Sequence, residues 1–338
     1  MDFELSSECR ELRQKVKAFV DQNVLPQIAE YEEKGVFPRA LFREIGAEGF
    51  LRAHVSGEYG GLGLGTIVFC LVAEELARAG AGLVHSAQFQ MQKMLMSHGT
   101  PEQQAKYLEK LLSGEYVAAV AITEPTVGSS FSDMRTIVRQ DGDTYVLNGL
   151  KTMINGAAEA DVIAVFARNE QGISIFLVDR ETPGLSILNK LDIIGMRSAP
   201  VYEFELKDCI VNGAQLLGKV GEGLKVFFSA FNFSRLGNAS AALGIAQAAF
   251  DKTLSYLKER RVGSRGAAEF QGLRWTLVEM NNQLEAARLV RDRAAVFQDK
   301  LPDNSLESSR AKLFCVEVAN RVVGDCIQAT GRYGSLRD

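Results

Sequence analysis

Apolar residues recur at helical spacing through the first part of the chain. From Glu8 onward they fall three or four residues apart, at Leu12, Val16, Phe19 and Val20. This is the period of an amphipathic helix, which buries one face and exposes the other. Residues 66–79 repeat the pattern. Residues 1–116 are therefore predicted to form an N-terminal helical domain.

Two short segments of this region carry sequence signals for a helix start and for a turn. Thr100 is a suitable N-cap, Pro101 suits a first helical turn, and Gln103 completes a capping box, so a helix is predicted to begin there. Residues 59–65 read Tyr-Gly-Gly-Leu-Gly-Leu-Gly. This segment lacks the Lys-Ser/Thr ending of a phosphate-binding loop and does not follow a strand. It is predicted to be a structural turn rather than a ligand loop.

From residue 117 the pattern changes to short runs of apolar and β-branched residues. The predicted strands cover residues 117–123, 143–146, 151–154, 160–167, 172–178 and 201–206. Asn148-Gly149 stands between two of them and predicts a hairpin turn. Six short strands in about a hundred residues are typical of a small sheet or barrel. Residues 117–222 are therefore predicted to be a central β domain.

Helical periodicity returns at residue 223 and continues to the end of the sequence. Three narrow apolar stripes are centred on Leu243 to Leu257, Leu273 to Ala287 and Ala311 to Val322. Long helices with narrow stripes and short connections favour a bundle. The predicted fold is thus mainly α with a central β domain, and residues 223–338 form its C-terminal helical bundle.

Composition and charge exclude several classes of function. Hydrophobic residues make up 46% of the 338, charged residues 24%, and the net charge is −4. These values are ordinary for a globular protein and give no electrostatic reason to expect nucleic-acid or anionic-membrane binding. The sequence has neither a recognisable signal peptide nor an apolar run long enough to span a bilayer.

Cysteine and histidine usage points to a cytoplasmic protein without a metal. The five cysteines are scattered and never spaced as CxxC, so we expect reduced thiols. The three histidines, His54, His85 and His98, form no metal-ligand spacing with them. A bound metal is therefore not expected.

The segment with the most candidate chemistry is residues 121–130, Ala-Ile-Thr-Glu-Pro-Thr-Val-Gly-Ser-Ser. A predicted strand ends there in a polar turn. Thr123 and Ser129 offer hydroxyl groups, and Gly128 lets a ligand approach the backbone. A ligand loop and a capped turn between strands would have the same composition, so the residues alone leave both interpretations open.

A series of motifs in this order resembles the acyl-CoA dehydrogenase family over nearly the whole chain. Tyr59 to Gly65 resembles the family's YGGLG loop, and His98 to Gln103 its HGTxEQ segment. Thr123-Glu124-Pro125 with Gly128-Ser129 resembles the flavin loop TEPxxGSD, with Ser130 where the family has Asp. The remaining matches are Asn148-Gly149 with Lys151 to NGxK, Phe231 to Arg235 to FDxxR, Glu259-Arg260 with Gln271 to ER…HQ, and Gln328 with Gly331 and Gly334 to QxxGGxG.

The resemblance implies a subunit with an N-terminal helical domain, a β-barrel domain and a C-terminal four-helix bundle that this sequence appears to truncate. It implies a homodimer or homotetramer that binds FAD between the β domain and the bundle. The residues expected to contact the cofactor are Ile122, Thr123, Gly128, Ser129, Met153, Asn155, Arg260, Gln271, Gln328 and Gly331. Those expected to contact substrate are Ser129, Asn232, Ser234 and Arg235.

Besides Ser130, four positions depart from the family pattern. Met153 and Asn155 stand where the family usually has an aromatic residue and a Thr or Ser; Met can still pack against a flavin ring and Asn can still donate a hydrogen bond. Gly263 replaces a Phe, and Arg332 replaces a glycine beside the expected ADP site. The departures therefore concern adenosine contacts more than flavin contacts.

The implied reaction is α,β-dehydrogenation of an acyl thioester, carried by CoA or a carrier protein, in fatty acid metabolism. A carboxylate removes the α proton, donors stabilise the thioester oxygen, and the β hydride goes to flavin N5, from which an electron-transfer flavoprotein takes the electrons. The expected catalytic Glu lies beyond Asp338, and Ser234 occupies the alternative base position; a helix-start or pocket hydroxyl is the expected role for this serine. A non-catalytic scaffold or partner subunit, and a flavin monooxygenase, are the alternatives.

Overall fold

The computed structural model describes residues 4–80, 86–301 and 303–336, so His85 and Asp338 lie outside the described residues. The N-terminal helices are α1 (Ser7–Phe19), α2 (Leu25–Lys34), α3 (Arg39–Ala47), α4 (Thr66–Ala79), α5 (Ser86–His98) and α6 (Pro101–Leu112). A π-helical turn, Val20–Val24, joins α1 to α2. The predicted helical region is confirmed.

The predicted capping box opens α6. The Thr100 hydroxyl accepts from the Gln103 amide at 3.3 Å, and the Gln103 side chain accepts from the Thr100 amide at 3.1 Å. The Gln103 amide group also donates to the carbonyl oxygens of Ala214 and Leu216, at 2.8 and 2.9 Å. The cap therefore also attaches the start of the helix to the end of the β region.

Eight strands form one sheet in the central region. They are β1 (Ala118–Ala121), β2 (Ile137–Asp141), β3 (Thr144–Asn155), β4 (Val162–Asn169), β5 (Gly172–Asp179), β6 (Leu185–Leu191), β7 (Val201–Asn212) and β8 (Leu216–Leu217). The order is β6-β7-β3-β2-β4-β5-β8, and β1 pairs in parallel with β4. Strands β2, β6 and β8 were not among the predicted ones.

The predicted hairpin turn at Asn148-Gly149 is wrong, because β3 runs through both residues. The turn instead lies between β2 and β3 at Gly142, whose φ is +61°. At Asn148-Gly149 the register of β3 on β7 shifts, as at a β-bulge. A Cβ on Gly149 would lie 2.4 Å from the Thr136 hydroxyl, so close packing explains this glycine.

Three long helices follow the sheet: α7 (Gly223–Glu259), α8 (Gln271–Lys300) and α9 (Ser305–Ala329). A short hairpin, β9 (Arg261–Val262) with β10 (Arg265–Gly266), separates α7 from α8, and a 3-10 turn, Gly331–Ser335, follows α9. The three predicted stripes supply a shared apolar core, with Leu243, Phe250, Met280, Leu284, Ala287, Cys315, Val318 and Val322 all buried.

The chain divides into two compact units. One comprises Met1–Pro26, Gly63–Val84 and Arg235–Asp338, and the other comprises Gln27–Leu62 and His85–Ser234. Helix α7 contributes its first part to the second unit and the rest to the first. The three-domain boundaries at 116 and 222 stay a prediction. None of the described helices is long and apolar enough to cross a membrane.

Candidate active site

The polar turn after β1 is held by its own backbone and by a buried carboxylate. Glu124 and Val127 exchange two backbone hydrogen bonds of 3.0 Å, which close the turn. The Glu124 carboxylate is buried and accepts from the backbone amides of Arg135 and Thr136, at 2.6 and 2.9 Å. The glutamate of the TEP motif therefore fixes the loop from inside and does not face a ligand.

Lys151 is the charged partner of that carboxylate. Its ammonium group is fully buried and donates to Glu124 at 2.9 Å and to the carbonyl of Ile122 at 3.1 Å. The Thr152 amide donates to the carbonyl of Thr123 at 3.1 Å. These bonds connect β3 to the end of β1, so Ile122 and Thr123 have a fixed backbone position.

The pKa values of this pair follow from burial and pairing. Burial opposes ionisation of Glu124, but hydrogen bonds from Thr136, Lys151 and Arg135 outweigh it and its pKa is lowered. Burial lowers the pKa of Lys151 to about 8, against the opposing effect of Glu124. Both groups are therefore charged at neutral pH, and the loop contains a buried ion pair.

A cavity of about 210 Å³ opens beside this loop. Ile122, Thr123, Met153 and Asn155, four of the predicted cofactor contacts, line it. The other lining residues are Ser86, Ala87, Gln90, Val120, Ile154, Phe227 and Phe231. The structure thus brings the residues after β1 and the end of β3 together with α5 and the start of α7.

Met153 and Asn155 project from the end of β3. Met153 has a φ of +58°, uncommon for a residue with a side chain, and 54% of it is exposed. Ile154, between them, is buried. Met153 and Asn155 thus give the cavity two different side chains, one apolar and polarisable and the other able to donate hydrogen bonds.

The remaining predicted contacts lie elsewhere. Gly128 and Ser129 are exposed in the loop and are not lining residues of the cavity; a Cβ on Gly128 would meet nothing within 4 Å. Asn232, Ser234 and Arg235 lie on α7, beyond Phe231. Ser234 is buried and well inside the helix, so of the two roles expected for it the helix-start hydroxyl is wrong and the pocket hydroxyl stays a prediction.

The residues expected on the adenosine side lie at the ends of the long helices. Arg260 follows α7, and its guanidinium carbon is 5.6 Å from the centre of the Tyr333 ring. Gln328 is exposed near the end of α9, and Gly331, with a φ of +62°, begins the turn that contains Tyr333. Gln271 is the first residue of α8. Arg260 and the segment around Gly331 are therefore neighbours.

Sequence reasoning missed the helical wall of the cavity. Gln90 on α5 and Phe227 on α7 are both nearly fully buried, and neither belongs to a motif. The sequence did contain one signal for this wall, because α5 carries Gln88, Gln90 and Gln92 in an otherwise apolar stretch. A buried side-chain amide needs a hydrogen-bond partner, so each of these glutamines is a candidate for a structural or a binding role.

Sequence models of one family match this chain along its length. The acyl-CoA dehydrogenase N-terminal domain matches residues 6–115, the middle domain residues 119–209 and the C-terminal domain residues 221–338. The chain belongs to the acyl-CoA dehydrogenase family. The resemblance inferred from the motifs is confirmed, and with it the flavin-dependent oxidoreductase class to which the family's members belong.

Individual relatives agree with this assignment. The short-chain specific acyl-CoA dehydrogenase of Clostridium acetobutylicum is 33% identical over 100% of this chain and 91% of its own. Butyryl-CoA dehydrogenase of Megasphaera elsdenii superposes with a TM-score of 0.94 at 30% identity, over 99% of this chain and 91% of that one. A chain in the structure of the electron transferring flavoprotein of Acidaminococcus fermentans gives a TM-score of 0.95 at 32% identity, over 99% and 90%.

Proposed function

We propose that this member of the family binds FAD and dehydrogenates an acyl thioester, and that the cavity beside the Thr123 loop receives part of the flavin ring and the acyl group. The observation that carries the proposal is the convergence of Ile122, Thr123, Met153 and Asn155 on one cavity. The similar proteins include a short-chain specific acyl-CoA dehydrogenase and a butyryl-CoA dehydrogenase, and both names give an acyl-CoA as the substrate.

The side chains of the cavity fit a planar aromatic group with a polar edge. Ile122 and the exposed thioether of Met153 offer apolar contacts for a ring face. Thr123 and Asn155 offer a hydroxyl and an amide for ring nitrogen and oxygen atoms. The buried Lys151–Glu124 pair holds Thr123 in place, which is the support that a binding group needs.

The adenosine end of FAD is proposed to contact Arg260, Gln271, Gln328 and Gly331, and the exposed loop residues Gly128 and Ser129 to contact the cofactor or substrate. A guanidinium makes bidentate, charge-assisted bonds to a pyrophosphate. Arg260 is exposed beside Tyr333, which leaves its donors accessible to such a group. The contribution of Arg260 across a subunit interface is part of the proposal.

The acyl group is proposed to lie against the start of α7. Phe227 and Phe231 supply an apolar wall, with ring centroids 4.7 Å apart, and Asn232, Ser234 and Arg235 lie farther along the helix toward the CoA side. Bound flavin supplies the hydride acceptor. The residues of this chain position the thioester, exclude water and donate hydrogen bonds to its developing negative charge.

We propose that the base that removes the α proton is not one of the residues that line this cavity. None of the described lining residues is an Asp or a Glu. A serine hydroxyl cannot act as an α-proton base near neutral pH without a partner base, so Ser234 is not proposed as the catalyst. A Glu beyond Asp338 stays the prediction for this role.

The proposal also includes the location, the assembly, the substrate and the electron acceptor of the enzyme. We propose a cytoplasmic homo-oligomer in fatty acid metabolism, with a CoA or carrier-protein thioester as substrate. An electron-transfer flavoprotein is the proposed acceptor, in line with the structural likeness to a chain from that system in Acidaminococcus fermentans.

The test is release of the cofactor by acid from the purified protein, with identification by mass. We expect FAD, and we expect Asn155→Ala to retain less of it than the exposed-loop control Thr126→Val. Finding FMN would contradict the FAD proposal, and no binding after reconstitution with FAD would contradict it in favour of the non-catalytic scaffold. Acyl-CoA-dependent reduction of an artificial acceptor distinguishes dehydrogenation from a monooxygenase, which would need a flavin reductase and oxygen.

A further inference from the structure

Helix α5 carries three glutamines at alternate positions, and two of them have clear structural roles. The Gln88 amide donates to the carbonyl oxygens of Leu111 and Tyr116, at 2.6 and 2.9 Å. The Gln92 amide donates to the same Leu111 carbonyl at 3.1 Å. Residues four apart lie on one face of a helix, so Gln88 and Gln92 together hold the segment that leads from α6 into β1.

Gln90 lies on the other face of the same helix. Residues two apart on a helix do not face the same way, which directs Gln90 away from the Leu111 carbonyl. Only 7% of its surface is exposed, and its Nε2 is buried without a hydrogen-bond acceptor among the described residues. An amide left unpaired in this way costs about 1–3 kcal/mol, so a fold seldom retains one without a use.

The environment of Gln90 identifies that use, because Gln90 lines the cavity of the proposed active site. The cavity is small, about 210 Å³, and no charged residue occurs among its described lining residues. Phe227 and Phe231 on α7 provide its aromatic wall. Gln90 therefore adds an unpaired amide beside the aromatic wall of an uncharged cavity, whose other polar lining residues are Ser86, Thr123 and Asn155.

We propose that Gln90 is a specificity-determining residue that hydrogen-bonds an uncharged oxygen on the acyl chain, so that the preferred substrates are short hydroxylated acyl thioesters. The proposal rests on the proposed function, since it takes the cavity to be the acyl site. It goes further by giving the substrate a chemical class that family membership does not supply.

A hydroxyl fits this site better than a carboxylate or a plain alkyl chain. The last side-chain torsion of glutamine is broad, so the amide can turn toward a ligand in the cavity. A hydroxyl both donates and accepts and satisfies either end of the amide. A carboxylate would enter a cavity without a described cation, and an alkyl chain would leave the buried amide unpaired.

The experiment compares substrates that differ only by a methyl or a hydroxyl group at the chain end. Butyryl-CoA is matched with 3-hydroxypropionyl-CoA, and pentanoyl-CoA with 4-hydroxybutyryl-CoA, and each Kd is measured by calorimetry on the FAD-loaded protein. We expect Gln90→Leu to shift the preference from hydroxyl toward methyl by about tenfold in one or both pairs, the order of one hydrogen bond. Gln92→Leu, on the opposite face of α5, should leave the ratio unchanged.

The outcomes separate this inference from the proposed function. If neither wild type nor variant binds any of the four thioesters, the proposed function fails. If wild type binds them and Gln90→Leu leaves the methyl-to-hydroxyl ratio unchanged, the specificity role is wrong. If that ratio is unchanged but the variant shifts the flavin absorption spectrum without a thioester, the amide serves the cofactor instead. Gln90→Met repeats the comparison with a different apolar side chain should Gln90→Leu fold poorly.

Discussion

At the scale of single residues, the ion pair between Lys151 and Glu124 holds the candidate site together. Lys151 is fully buried, and Glu124 is 4% exposed. Removing one member of a buried pair leaves the other charge uncompensated, which is costly even where the intact pair contributes little net stability. The positions of Ile122 and Thr123 depend on this pair through backbone contacts.

We predict that Lys151→Met will destabilise the protein by about 3–5 kcal/mol and weaken flavin retention, because Glu124 is left buried and charged. Thermal unfolding and the flavin-to-protein ratio after gel filtration measure the two effects. The control is Lys225→Met, whose exposed pair with Glu222 at 3.7 Å should contribute about 1 kcal/mol or less. Equal losses in both variants would contradict the buried-pair role.

A second residue, His54, is a buried histidine among aromatic rings. Its ring centroid lies 5.1 Å from that of Phe233 and 5.6 Å from that of Phe89. Burial, with a smaller effect from the positive charge of Lys93, lowers the pKa of His54 to about 3. The native protein therefore keeps this ring neutral, whereas the unfolded chain protonates it as the pH falls through 6.5.

Because the pKa of His54 is lower in the folded protein than in the unfolded chain, acid lowers the free energy of unfolding. Stability from the neutral His54 is fully present above pH 6.5 and is lost as the pH falls toward 3, with a limiting slope of about 1.4 kcal/mol per pH unit. We predict that His54→Gln flattens the pH dependence of the unfolding midpoint between pH 6 and 4. Parallel curves for wild type and variant would show that His54 does not contribute to acid sensitivity.

At the scale of elements, local sequence features indicate where helices begin and where turns join the strands. Both Asn148-Gly149 and Asp141-Gly142 are strong turn signals in the sequence. Only the second became a turn, because Asn148 and Gly149 lie within the long strand β3, where Gly149 packs against Thr136. The sequence alone does not distinguish a glycine that is needed for close packing from one that is needed for a turn.

The end of α7 is the element that carries the proposed nucleotide contact. We predict that Arg260→Ala will weaken FAD retention without changing helix content, since an exposed guanidinium is lost and no core contact is removed. Circular dichroism and the dissociation constant for FAD measure the two quantities. The control is Arg321→Ala, an exposed arginine on α9. Unchanged FAD affinity in Arg260→Ala would identify Arg260 as a surface charge.

At the scale of the whole molecule, helices α8 and α9 expose large apolar side chains. Trp275 is 67% exposed, Val278 58% and Leu313 63%. Exposed apolar surface of this kind on a helical bundle is typical of a subunit interface. The expected homodimer or homotetramer would bury such a surface.

We predict that sedimentation will give a mass of about two or four times 37.0 kDa for the FAD-loaded protein. Val278→Lys or Leu313→Lys should shift it toward the monomer, because a charge would be buried in the interface. Leu62→Lys, at an exposed leucine outside α8 and α9, is the control. A monomeric wild type at micromolar concentration would contradict the oligomer and the role of Arg260 across it.

The sequence by itself determined the order of helices, strands and helices, the capping box at Thr100 and the apolar stripes of α7, α8 and α9. Periodicity and capping act over a few residues, so they can be read locally. The motif series also predicted the family and the four cavity residues from the segments 122–123 and 153–155. Their assigned contacts with flavin and substrate stay predictions.

Only the tertiary structure decided which distant residues meet. It paired Lys151 with Glu124, put Gln90 from α5 into the wall of the cavity, and buried Ser234 inside α7. It also buried Glu74 of α4 against Arg288 and Arg291 of α8, where charged residues would otherwise be expected at the surface. The physical reason is that burial and pairing depend on contacts between segments far apart in the chain, which no local pattern records.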